Sequence, residues 1–189
     1  MPVTFQELLL KHKSSILGDW VKAIVETYPA ETARFLRQSK DQFANPVGAA
    51  IKTETEHIFD QLVSGGAERQ ELDKFLDRII RIRAVQDFTP ALALGFIYDL
   101  KRAVRRRLEK DLKQQGLEEE LLKFEETVDN LMLQGFAIYV SCREQIYDLK
   151  AMEMRNLYAK VLERSGIFTV VPDQETLEPL SETDEQNKA

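Results

Sequence analysis

The chain has 189 residues, 43% of them hydrophobic, a formal net charge of -6 and a single cysteine. That length suits one domain with appendages, and the apolar content is enough for a real core. One cysteine excludes an internal disulfide framework and fits a reducing compartment, and no apolar run reaches the ~18 residues of a membrane-spanning helix. The start, Met1 to Glu7, lacks the basic and apolar regions of a secretory signal, so a soluble cytoplasmic protein is expected. Residues 167–189 hold six acids and one base, so nearly all of the net charge lies there. A body this close to neutral does not suit nucleic acid as a partner.

Along the chain, Thr4 and Glu7 match a capping box ahead of an amphipathic helix that should end near Tyr28-Pro29. A short helix is expected over about Ala30 to Gln38, then a loop around Lys40 to Ala44. Asn45-Pro46 predicts a helix start, with Asn as the cap and Pro where its missing N–H costs nothing. That helix should run to about Val63 and stop at Ser64-Gly65-Gly66. The next covers roughly Glu68 to Val85. Thr89-Pro90 repeats the start signal for a helix reaching about Gln115, and Gly116 supplies a left-handed stop.

From Leu117 to Ser165 there are 49 residues with no proline and one glycine, Gly135. A continuous helix of that length would run on the order of 70 Å at ~1.5 Å per residue, so one end should leave the globule. Gly135 leaves open whether the helix is unbroken. Near its end Tyr147, Ala151, Met154, Tyr158 and Val161 are spaced 4-3-4-3, a coiled-coil seam about two heptads long. The pattern fits another chain or packing back on the first helix. The helix is too long for one globule to cover, which favours another chain. The expected organisation is one helical domain over 1–165, including the long helix 117–165. An acidic tail over 167–189 is expected to be disordered.

The class is therefore all-α, and the helix order suggests a globin-like layout with a long C-terminal helix that projects as a coiled coil. That layout raises the question of haem, whose iron usually takes a histidine. His57 would fall on the distal side, His12 far from the haem, and the expected proximal helix has no His, Cys or Met. No metal spacing and no catalytic motif is visible, so no cofactor, metal or enzymatic activity is expected. Cys142 reads best as a small core residue. The basic run Lys101-Arg102, Arg105-Arg106-Arg107, Lys110 reads as a solvated face, although Arg102 and Arg106 share a side and could grip acids. Arg78, Arg81 and Arg83 are read the same way.

Two stretches carry a resemblance. One runs from Gly18-Asp19-Trp20 through Tyr28-Pro29, followed by Asp41 to Gly48. The other runs Arg83-Ala84-Val85-Gln86-Asp87-Phe88-Thr89-Pro90 through Phe96 to Lys101. Together they resemble the RsbRD N-terminal domain family, also called the RsbT co-antagonist N-terminal domain, over about residues 5–160. The resemblance implies a bacterial sensory or regulatory module. It implies a haem-free, globin-like domain that dimerises and passes its last helix into a STAS output domain in stressosome relatives. Here the chain ends at Ala189, so no STAS domain and no phosphoacceptor are expected. The expected role is a homodimeric signalling module acting through protein contacts. The rival is an adaptor docking on a larger, perhaps redox or membrane-associated, complex. Trp20, Tyr28, Asn45, Pro46, Gln86, Phe88, Pro90, Phe96 and Lys101 stand in the matching motifs. Their roles are unassigned, with core packing or loop locking as the plain alternative.

Overall fold

The computed structural model describes residues 3–38, 43–64 and 69–166. Over these the chain forms α1 (Phe5–Glu26), α2 (Ala30–Gln38), α3 (Pro46–Ser64), α4 (Arg69–Val85), α5 (Pro90–Gln115) and α6 (Glu118–Ser165). No strand occurs among the described residues, and the protein is all-α. The expected Gly65-Gly66 turn, most of the loop around Lys40 and the acidic tail over 167–189 lie outside the described residues. No helix among those described is long and apolar enough to cross a membrane. The chain divides into two compact units, Met1–Tyr147 and Asp148–Ala189.

Local chemistry sets the helix ends. Glu7 N–H donates to Thr4 Oγ1 at 3.2 Å and Thr4 N–H to Glu7 Oε2 at 2.8 Å, closing the capping box of α1. Asn45 Oδ1 accepts from Gly48 N–H at 2.9 Å while its amide donates to the Leu36 carbonyl at 3.0 Å. One side chain thus starts α3 and ties it to the end of α2. Thr89 caps α5 ahead of Pro90. Gly116, at φ 68° and ψ 40°, ends α5 in the left-handed conformation that a β-carbon disfavours. Glu118, Glu119 and Glu120 fill the first turn of α6, where the helix dipole favours acids.

In the first unit α1 packs on α5 and α3, and α3 on α4. Trp20 lies fully buried between α1 and α5, its indole N–H donating to the Phe96 carbonyl at 2.6 Å. Its ring stacks on Phe96 at 6.3 Å between centroids. The first part of α6 lays Leu121, Phe124, Val128, Leu131, Gly135, Tyr139 and Cys142 into the core. The helix is unbroken at Gly135, which answers the question its sequence leaves open. A β-carbon there would lie 2.8 Å from Ile97 Cδ1 and 3.2 Å from Ile80 Cδ1. The glycine is a close-approach point and not a break.

The basic run of α5 is spent on internal pairs. Arg105 grips Glu125 of α6 through Nε and Nη2, with the shortest contact 2.7 Å. Lys101 pairs with Asp129 at 2.9 Å, and Arg102 with Asp99 at 3.2 Å. Arg107 forks onto Asp19 of α1 at 2.7 and 2.8 Å, which holds the Asp19 carboxyl below its usual pKa. In the second unit every described residue, from Asp148 to Gly166, is exposed.

The two kinds of helical glycine should separate on substitution. Gly135→Leu should destabilise the fold by roughly 2–3 kcal/mol in urea unfolding, because it overfills a packed contact. Gly18→Ala, where nothing lies within 4 Å of an added β-carbon, should stabilise it by about 0.5–1 kcal/mol.

Candidate functional site

The turn between α4 and α5 gathers more polar chemistry than any other described part of the first unit. It begins with the way α4 ends. Asp87 N–H donates to the Ala84 carbonyl at 3.4 Å and Phe88 N–H to the Arg83 carbonyl at 3.2 Å. Asp87 has φ 58°, the one positive value at a non-glycine residue among those described. This is the left-handed helix stop that glycine usually makes, built here with an aspartate at a conformational cost of about 1 kcal/mol or more.

Two side chains of α6 then close on this elbow. The Tyr139 hydroxyl donates to the Phe88 carbonyl at 2.7 Å. Arg143 Nη1 donates to the Ala84 carbonyl at 3.1 Å and to Asp87 Oδ1 at 2.7 Å. Arg143 Nη2 donates to the Tyr147 hydroxyl at 2.8 Å, with the guanidinium 4.9 Å from the Tyr147 ring centroid. A cation on the last carbonyls of α4 meets the negative end of its dipole. The Asp87 carboxylate, then the Tyr147 hydroxyl, push the Arg143 pKa further up.

From the other side the turn after α1 supplies a lid. The Tyr28 ring packs edge-on to Phe88 at 5.0 Å, and its hydroxyl donates to Gln86 Oε1 at 3.1 Å. Beneath lies Arg83, 0% exposed. Its guanidinium stands 4.3 Å from the Phe88 ring centroid and 5.4 Å from that of Tyr28. Arg83 Nη2 donates to Thr27 Oγ1 at 2.8 Å and to the Leu92 carbonyl at 2.6 Å. Its Nε and Nη1 are buried without a hydrogen-bond partner. Burial pushes the Arg83 pKa down, partly offset by the Tyr28 phenol and the Asp99 carboxylate. The expectation that Arg83 belongs to a solvated face is therefore wrong. It follows Ile79 and Ile80 by four and three residues, on the apolar side of α4, and that spacing was the signal to use.

Of the motif residues, Tyr28, Gln86, Phe88 and Pro90 meet at this elbow. Trp20 and Phe96 pair in the core, Asn45 and Pro46 form the α2–α3 corner, and Lys101 faces Asp129. Asp87, Tyr139 and Arg143 escaped the sequence reading because their partners lie far away along the chain. His57 is half-exposed against Phe75 at 4.8 Å, and His12 lies 3.3 Å from Asp111. Cys142 is buried, as expected of a core residue, and burial raises its pKa. No group of metal-binding side chains occurs among the described residues.

Tyr147, Ala151, Met154, Tyr158 and Val161 are all exposed. Earlier in α6, Leu133 and Phe136 are also exposed, at 70% and 52%, and Val140 is half-exposed. Read along the sequence, these residues extend the seam with the spacing 3-4-7-4-3-4-3.

The first unit is all-helical among the described residues, and its polar side chains link the α4–α5 turn to α6. The chain matches the model of the RsbT co-antagonist protein rsbRD N-terminal domain over residues 14–154, and it belongs to that family of stressosome-related signalling domains. No curated protein and no solved structure matches it.

Tyr139→Phe tests the grip on the elbow. It leaves the Phe88 carbonyl short of a partner and should cost about 1–2 kcal/mol. Amide hydrogen exchange should quicken at 84–90 and stay unchanged at the α2–α3 corner.

Proposed function

We propose that the protein is a homodimeric, non-enzymatic regulator of bacterial signalling, acting in the cytoplasm through α6. The exposed apolar line along that helix carries the reading. From Leu133 to Val161 it covers about four heptads, within the range at which a coiled-coil pattern becomes specific. Two heptads alone would fall short. A second copy is the simplest occupant, because a seam of one repeating pattern is self-complementary about a two-fold axis. The unpaired cysteine suits a reducing compartment.

The elbow would be where the first unit's state is handed to the helix. Arg143 falls within the line, between Val140 and Tyr147. It is only 19% exposed by its side chain, being drawn to Asp87. A partner or ligand that altered the elbow would release a cation into the seam. Charge at such a position changes register or partner choice more than it changes fold.

Sedimentation velocity tests the dimer. At about 50 µM the wild type should run as a dimer, as expected for a dissociation constant in the micromolar range or below. Phe136→Glu and Tyr158→Glu should each shift it to monomer. Leu149→Glu, on the far side of the helix, should leave it unchanged. A wild type that stays monomeric at that concentration overturns the reading.

A further inference from the structure

Among the described residues Arg83 is the one arginine that is fully buried and makes no ion pair. Every other charged side chain buried in the first unit has a counter-ion: Glu54 meets Arg78 at 2.8 Å, and Glu125 meets Arg105 at 2.7 Å. A guanidinium carries five N–H donors. Here Nη2 is engaged by Thr27 and Leu92, while Nε and Nη1 contribute nothing. The groups facing it are two aromatic rings, the hydroxyls of Thr27 and Tyr28, and the Leu92 carbonyl. The carboxylate that acts on it, Asp99, is itself bonded to Arg102 at 3.2 Å. The positive end of α5 lies beside it, since Arg83 reaches the carbonyl of Leu92 in the first turn of that helix. The rings and oxygens suit the cation, and the two donors without a hydrogen-bond partner are what favours an added negative charge.

The cover over this cation is thin. Gln86 is exposed and Phe88 half-buried, and the buried Tyr28 ring packs on Phe88 with its hydroxyl tied outward to Gln86. We infer that the elbow is a binding site for a small oxyanion, a carboxylate or a phosphate, taken by the Arg83 guanidinium when Tyr28 and Gln86 part. The anion supplies the missing counter-charge and accepts from the unused donors. Phe88 moves with the lid, and its carbonyl is the acceptor of Tyr139 on α6. The site stands without the dimer; only its effect on a second copy rests on that reading.

The test reads Arg83 directly. Its buried Nε–H should give a separate, slowly exchanging signal in the arginine side-chain nitrogen spectrum, assigned with Arg83→Lys. Sodium acetate and sodium phosphate are titrated separately into the full chain, with sodium chloride holding ionic strength constant. The expected result is a saturating shift of that signal with one of the two anions and none with chloride alone. Acetate would mark a carboxylate ligand and phosphate a phosphorylated one. Gln86→Ala, which removes the latch, should lower the half-saturation concentration roughly fivefold, the worth of one ordinary hydrogen bond. An Arg83 signal that saturates with neither anion, in wild type and in Gln86→Ala, overturns the inference. So does a shift that chloride reproduces.

Discussion

How α4 ends is the constraint on which the rest of the first unit depends. A helix leaves its last carbonyls without partners, and burying them unsatisfied is costly. Here the Ala84 carbonyl of α4, and the Phe88 carbonyl of the turn beyond it, accept from side chains of α6. The same few residues are tied to α1 through Tyr28 and Thr27 and to α5 through the Leu92 carbonyl. Four helices therefore meet at one short segment. No other described turn has this role. The α5–α6 turn closes on itself through Gly116, and at the α2–α3 corner Asn45 caps α3 and ties it to α2.

The seam on α6 and the core-facing side of α6 are set by one helix with two apolar lines. Gly135 lies in one and Phe136 in the other, about 100° apart around the axis. A helix that is apolar on two sides has more surface to bury than one layer can cover. The spacing also carries an irregularity. From Tyr147 to Ala151 the step is four residues where the preceding heptad calls for three, an offset that locally unwinds a supercoil. Tyr147 is also the residue whose hydroxyl holds Arg143. The proposed dimer contact thus changes phase at the point where the elbow reaches the seam.

Much of the fold was legible because helix ends are written in local chemistry. Thr4 with Glu7, Thr89 with Pro90 and Gly116 each act within four residues of themselves, so the sequence reading located them within a residue or two. The family stretch was legible for a related reason, since Gln86, Phe88 and Pro90 sit in one unusual run. What lay hidden is non-local. Tyr139 is 51 residues from its acceptor and Arg143 is 56 from Asp87. Nothing along the chain announces such pairs. Arg83 was hidden differently: its charge argued for the surface while its position argued for the core, and position prevailed. Leu133 and Phe136 were not singled out, because hydrophobicity alone does not say which of two apolar lines faces inward.

Two energetic costs fall within five residues of one another. An uncompensated cation is buried at Arg83, and Asp87 holds a backbone conformation that favours glycine. Apolar side chains at position 83 would serve stability as well or better, and a glycine would relax position 87. Neither cost serves packing. Both sit in the segment that grips α6. Strain confined to one element lowers the energy needed to move that element without loosening its surroundings. That is the property a two-state coupling element requires, and among the described residues only the elbow combines it with a direct hold on the long helix.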